Sequence, residues 1–207
     1  GTRGITLYSV DGGHVRDVSI DSISIRDGYA AATLRLGNRG RYPVPGTSDS
    51  PPPGRISEIT IRNVDATLSE KSFQEILRAE GIATASPADG NAMPVLVDFI
   101  SGIPGHPIEG VTLENFVIRN RSETLRPALA ADEVPEKIDG YPKTGMFGVL
   151  PASGFYLRHA KDITLSNVNF EGPVGDNRPT LVADDVTGLV TEHVSSNIGF
   201  KVLEVGR

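Results

Sequence analysis

One spacing of apolar residues recurs five times along the chain. In HVRDVSIDSISIRD it falls on Val15, Val18, Ile20, Ile23 and Ile25, and in RISEITIRNVDATL on Ile56, Ile59, Ile61, Val64 and Ala66. PIEGVTLENFVIRN carries it at Ile108, Val111, Leu113, Phe116 and Ile118, and HAKDITLSNVNFEG at Ala160, Ile163, Leu165, Val168 and Phe170. A weaker copy in DDVTGLVTEHVSSN holds Val186, Leu189, Thr191, Val194 and Ser196. Pairs two apart, such as Val111 with Leu113 and Phe116 with Ile118, have the period of a strand. The polar pair between them, Glu114-Asn115, suits a bend. A unit that recurs in this way buries its apolar face only by stacking on its neighbours.

A shorter strand signal precedes each copy: Ile5 and Leu7, Leu34 and Leu36, Val95 and Val97, Phe155 and Leu157, Leu181 and Ala183. With Val18, Ile59, Val111, Ile163 and Leu189 taken as equivalent, the steps are 41, 52, 52 and 26 residues. The shortest step is the bare repeat. It is made of strands alone, which excludes leucine-rich and helical repeats and predicts an all-β, parallel β-helix over residues 1–207, a single domain. Each strand then pairs with its counterpart one coil on, ~4.8 Å away. Asn63, Asn115 and Asn167 occupy equivalent bends, with Ser22 in their place in the first copy; Asn tolerates left-handed backbone, and stacked Asn side chains can hydrogen-bond between coils. The longer steps carry insertions. Gly37 to Gly54 is broken by Pro and Gly. Ser69 to Gly81 has Phe73, Ile76 and Leu77 at helical spacing, a capping box at Ser72 and Glu75, and a closing Gly81, which predict one short surface helix. Leu125 to Pro151 is long and polar. On a stack of repeats such loops collect on one face and wall a groove.

The composition narrows the function. A formal charge of −6 is poorly suited to nucleic-acid phosphates. With no cysteine, disulfides, iron–sulfur clusters and thiolate zinc sites are excluded. No apolar run approaches the ~18 residues that span a membrane. The chain starts at Gly1 without Met and runs straight into a strand-like stretch, as a piece cut from something longer would.

Few residues have the spacing of a catalytic site. Asp184-Asp185 has the composition of a glycosidase acid–base pair or a calcium site, but adjacent strand residues point to opposite faces, so a turn between strands is the expected role. The four histidines have no metal-ligand spacing. His106, in the rigid turn GIPGHP, is a general-base candidate against simple turn packing. Asn120-Arg121-Ser122 is a glycosylation sequon. Arg35 follows Leu34 and Arg158 follows Leu157, so both belong outward on one face, and Tyr8 after Leu7 falls in the same column. A guanidinium there can hold a ligand carboxylate in a bidentate fork, and a tyrosine can stack on a ring. The competing expectation is a structural ladder, with Asp98 between the two arginines. Asn38 and Arg39 adjoin this face, and the candidate substrate-binding set is Tyr8, Arg35, Asn38, Arg39, His106 and Arg158.

The segments SVDGG, LRLGNRGR, SGIPGHPIEGVTLENF, MFGVLPASGFYLRHAKDITLSNV and RPTLVADDV resemble the later coils of bacterial members of glycoside hydrolase family 28, the polygalacturonase-like enzymes. The resemblance implies inverting hydrolysis of pectic or related uronate-containing polysaccharide by Asp side chains, with no cofactor, in an extracellular or periplasmic setting. The family's catalytic pattern runs Asn-Thr-Asp, Asp-Asp, Gly-His-Gly, Arg-Ile-Lys. Here Asn-Thr-Asp is absent, and Arg55-Ile56-Ser57, Gly105-His106-Pro107 and Asp184-Asp185 are partial matches in reverse order. No catalytic residue or metal site is therefore assigned, and the chain by itself is expected to lack glycosidase activity while supplying coils and cleft wall. Two alternatives stand beside this: a non-catalytic glycan-binding or adhesion β-helix, and a pectate-lyase-like enzyme using calcium and a basic residue.

Overall fold

The computed structural model describes residues 4–69, 97–122, 127–142 and 145–206. Among them the protein is all-β, with nine strands and one 3-10 turn at Ala131–Glu133. The strands are β1 (Ile5–Ser9), β2 (His14–Gly28), β3 (Ala32–Leu36), β4 (Arg55–Leu68), β5 (Asp98–Ser101), β6 (Ile108–Asn120), β7 (Phe155–Glu171), β8 (Leu181–Ser196) and β9 (Val202–Val205). Every pairing between them is parallel. β1, β3, β5, the first part of β7, the first part of β8 and β9 form one run of neighbours; β2, β4, β6 and the rest of β7 and β8 form the other. In β7 and β8 the short and long strand signals of one repeat join into a single strand.

The repeat register is the one that the apolar spacing predicts. Val18 pairs with Ile59, Ile59 with Val111, Val111 with Ile163 and Ile163 with Leu189. Stacking in register lines the apolar residues into inward columns. Ile61, Leu113 and Leu165, in the middle rows, are essentially fully buried, whereas Ile20 in the first row is half-buried. Burial of this kind contributes roughly 1.5–3 kcal/mol per large side chain, so the middle rows hold the stack together.

Each long strand bends at two residues five apart whose backbone is left-handed, Asp17 and Ser22, Glu58 and Asn63, Gly110 and Asn115, Asp162 and Asn167, Gly188 and His193, and β2, β7 and β8 carry a third such residue at Asp27, His159 and Asp185. The second bend of each pair carries the expected asparagines. Asn167 Nδ2 donates to Asn115 Oδ1 (2.7 Å), Asn115 Nδ2 to Asn63 Oδ1 (3.0 Å), and Asn63 Nδ2 to Asp21 Oδ1 (2.8 Å). Asp21 ends the ladder. Donation by Asn63, Ser22 and Arg62 holds its carboxyl down to about 2. The first bend of each pair has no common residue type, and the apolar spacing alone does not reveal it.

Two expectations differ from what is seen, and one lies outside the described residues. The third short strand is not centred on Val95 and Val97. Leu34 pairs with Ile100 and Ile100 with Leu157, which places Ile100 and Asp98 inward. Val97 and Phe99 face outward into a second apolar cluster with Val134, Met146, Phe147, Leu150, Tyr156 and Val182. Both faces of β5 are therefore buried, and alternation of apolar residues no longer marks the inner one. Asp184-Asp185 is not a turn between strands but lies within β8, at a bend where Asp185 is left-handed. The surface helix expected over Ser69 to Gly81 falls, beyond Ser69, outside the described residues, as does Val95.

Candidate functional site

The predicted arginine column exists. Tyr8 pairs with Arg35, Arg35 with Ser101, Ser101 with Arg158, and Arg158 with Asp184. Ser101, not Asp98, stands between the arginines, because Asp98 points inward. The column does not face solvent. Residues of 127–142 and 145–150 lie across it, and Arg35 and Arg158 are 0% and 1% exposed. Arg35 Nη1 donates to Ser101 Oγ (2.7 Å) and the Gly102 carbonyl (2.8 Å); its Nη2 donates to the carbonyls of Glu136 (2.8 Å) and Lys137 (2.9 Å). Its guanidinium also lies over the Phe147 ring, 5.2 Å from the centroid. Burial pulls Arg35 down to about 10, opposed by the Glu136 carboxylate. Arg158 Nη1 donates to the Val134 carbonyl (2.7 Å), and its other nitrogens lie 2.5 Å from Glu136 Oε1 and 3.1 Å from Asp184 Oδ2. With these donors engaged and buried, neither arginine presents a fork to an external carboxylate. Tyr8 is half-buried and its hydroxyl pairs with Thr33 Oγ1 at 2.8 Å.

The exposed face lies beside this column, where the 37–54 loop meets the 127–142 segment. Asn38 N–H donates to the Ile138 carbonyl (2.7 Å). Arg39 is held by Asp11, with Nε donating to Oδ1 (3.2 Å) and Nη2 to Oδ2, and the backbone N–H of Arg41 donates to the same carboxylate (3.0 Å). The Arg39 hydrogen bond is the main reason that the Asp11 carboxyl sits below its usual range. The Arg39 guanidinium lies 5.3 Å from the centroid of the Tyr141 ring. Tyr141 and Tyr42 are 63% and 68% exposed, the two most exposed aromatic side chains of the described chain. The Asp11 carboxylate, first through its hydrogen bond and then through its charge, raises Arg39. Sequence reasoning named Asn38 and Arg39 but missed Asp11, Tyr42 and Tyr141. The available signal was an aromatic in each of two Pro- and Gly-broken insertions of a chain poor in aromatics.

The remaining candidates stand apart. His106 is exposed at the tip of a turn in which its carbonyl and N–H bond to Ile103, and Gly105 is left-handed. Asp184 is fully buried against Arg158 and accepts from the Tyr156 hydroxyl at 3.0 Å. Asp185 turns the other way, its Oδ2 2.6 Å from His159 Nδ1. The two carboxylates thus serve different partners. Asn120 of the sequon is 3% exposed, and its Oδ1 accepts the Ser122 N–H at 3.0 Å. Among the described residues no group of three His, Cys, Asp or Glu side chains converges as a metal site, and no helix is long and apolar enough to cross a membrane. Comparison with protein-family models, with curated proteins and with solved structures finds no match.

Proposed function

We propose that the stacked rows are coils of a right-handed parallel β-helix of the family 28 glycoside hydrolase type, acting on pectic or related uronate-containing glycan outside the cytoplasm. In this reading the chain supplies cleft wall. The observation that carries it is the face built by Tyr42, Tyr141, Arg39 and Arg41 on Asp11. Exposed Tyr141 lies against a guanidinium whose orientation a carboxylate fixes, and exposed Tyr42 follows three residues along the same loop, an arrangement suited to stacking on sugar rings while cations meet acidic groups. The clamp moves from Arg35 and Arg158, which are buried, to Arg39 and Arg41. The second reading is a non-catalytic glycan-binding β-helix. It is favoured by the burial of Asp184, which leaves the Asp-Asp pair unable to act as acid and base on one bond.

Calorimetric titration with oligogalacturonate and with a neutral galactan of equal length tests the shared element. The chain is expected to bind the acidic glycan more tightly. Tyr42→Ala and Tyr141→Ala should each weaken that binding roughly tenfold, about 1.4 kcal/mol, and Arg41→Gln should erase the preference for the acidic chain. Equal affinity for both glycans, or affinity unmoved by all three substitutions, contradicts the reading. Release of reducing ends by the chain would favour the hydrolase over the binding module.

A further inference from the structure

We propose that His159 is a proton-operated latch for the 127–142 segment. His159 is 5% exposed and left-handed in backbone, φ +46°. Its Nδ1 lies 2.6 Å from Asp185 Oδ2 on β8, and its Nε2 lies 3.2 and 3.3 Å from the two carboxylate oxygens of Glu136 on the covering segment. An ionised carboxylate only accepts hydrogen bonds, and a neutral imidazole has one N–H. Both bonds are made together only when both ring nitrogens carry protons.

Loss of one proton falls unevenly. The shorter bond to Asp185 keeps the remaining N–H, and the Nε2 lone pair is then turned on the Glu136 carboxylate. The other charged groups around the ring do not replace that bond. Asp184 on β8 is engaged by Arg158 and Tyr156. Arg158, next to His159 on β7, pairs with Glu136 at 2.5 Å and holds the segment in either state. Arg35 on β3 bonds the backbone of Glu136 and Lys137, not the carboxylate. On the β5 side, Ser101 and Gly102 carry no charge. The latch therefore loosens the segment without releasing it. Tyr141 belongs to the same segment, so deprotonation reaches the exposed face through its contact with Arg39.

The chain has no tryptophan, so Tyr141→Trp gives a single fluorescent reporter of the segment. As pH rises, its emission is expected to shift to longer wavelength in a one-proton transition between about pH 5 and 8, the range in which imidazoles change charge. His159→Asn keeps a residue that tolerates the left-handed backbone and should abolish the transition. Glu136→Gln, which can accept from or donate to Nε2, should abolish it too, and serves if His159→Asn does not fold. The titration is repeated with Asp98→Asn, because that buried carboxyl titrates in the same range. A transition that survives both His159→Asn and Glu136→Gln, disappears with Asp98→Asn, or is missing from the parent overturns the latch. No glycan is present in this titration, so its outcome is independent of whether the chain binds uronate.

Discussion

Asp98→Asn should make the protein more stable than the parent at pH 8, by about 4 kcal/mol, and leave it nearly unchanged at pH 4. Asp98 is 2% exposed and sits in the inward column of β5. Its Oδ1 accepts the N–H groups of Ala31 (2.6 Å) and Ala32 (3.0 Å), while its Oδ2 is buried without a hydrogen-bond partner among the described residues. Burial pushes the carboxyl up to about 7, and the two backbone donors only partly oppose it. A folded-state value above the unfolded one means that the native protein binds the extra proton. Stability from this group is therefore full below about pH 4, falls as pH rises towards 7, and stays lost above it. A rise from the ordinary carboxylate value to about 7 is worth about 4 kcal/mol. Asn keeps the acceptor for both N–H groups and has no charge to bury. Urea melts of parent and variant at pH 4, 6 and 8 give the difference directly. Parallel pH profiles would show that the carboxylate is accommodated.

The second large effect belongs to Arg158. Arg158→Ala removes the cation beside a fully buried Asp184 and takes a donor from the Val134 carbonyl. An uncompensated buried charge costs about 3–5 kcal/mol. Replacing both partners, Arg158→Met with Asp184→Leu, should recover most of that loss, because an apolar pair of similar bulk leaves no charge behind. Denaturant melts of the three proteins check this. A stability loss under about 1 kcal/mol in Arg158→Ala would mean that the guanidinium is held loosely, as a residue kept for ligand would be.

The two arginines show where sequence is informative and where it is not. Their common column was legible because strand register follows from apolar spacing, and a residue one step from an inward leucine points outward. Their burial was not legible. The covering segment is held largely by backbone carbonyls, those of Val134, Glu136 and Lys137, and every residue has one of those. Nothing in the polar stretch from Leu125 to Pro151 marks which carbonyls will be used. Met146 and Phe147 were the one clue, since apolar residues in a polar insertion must find apolar surface, and they do so against Phe99 and Tyr156. The same burial defeated the assignment of β5. With the stack on one side and Phe147 on the other, the stretch VDFI from Val97 offers apolar residues to both faces, and the inward phase is the one that buries a carboxylate. The asparagine bends were legible because left-handed backbone restricts residue choice. The exposed tyrosines were not, because they come from two insertions far apart in sequence that meet only when the rows are in register.

That register underlies every contact described, and the absence of cysteine allows a direct test. Thr60 and Thr112 are partners in adjacent parallel strands and both point outward. Parallel strands lie ~4.8 Å apart, inside the range of about 4.4–6.8 Å that a disulfide spans between Cα atoms. Glu114 is on the same face as Thr112 but two residues further along, which puts it out of reach of position 60. Oxidation of the Thr60→Cys, Thr112→Cys protein should join the two peptides nearly completely, as read by mass spectrometry of a non-reduced digest, and the Thr60→Cys, Glu114→Cys protein should stay reduced. Crosslinking of the second pair in preference to the first would contradict the stacked-repeat register.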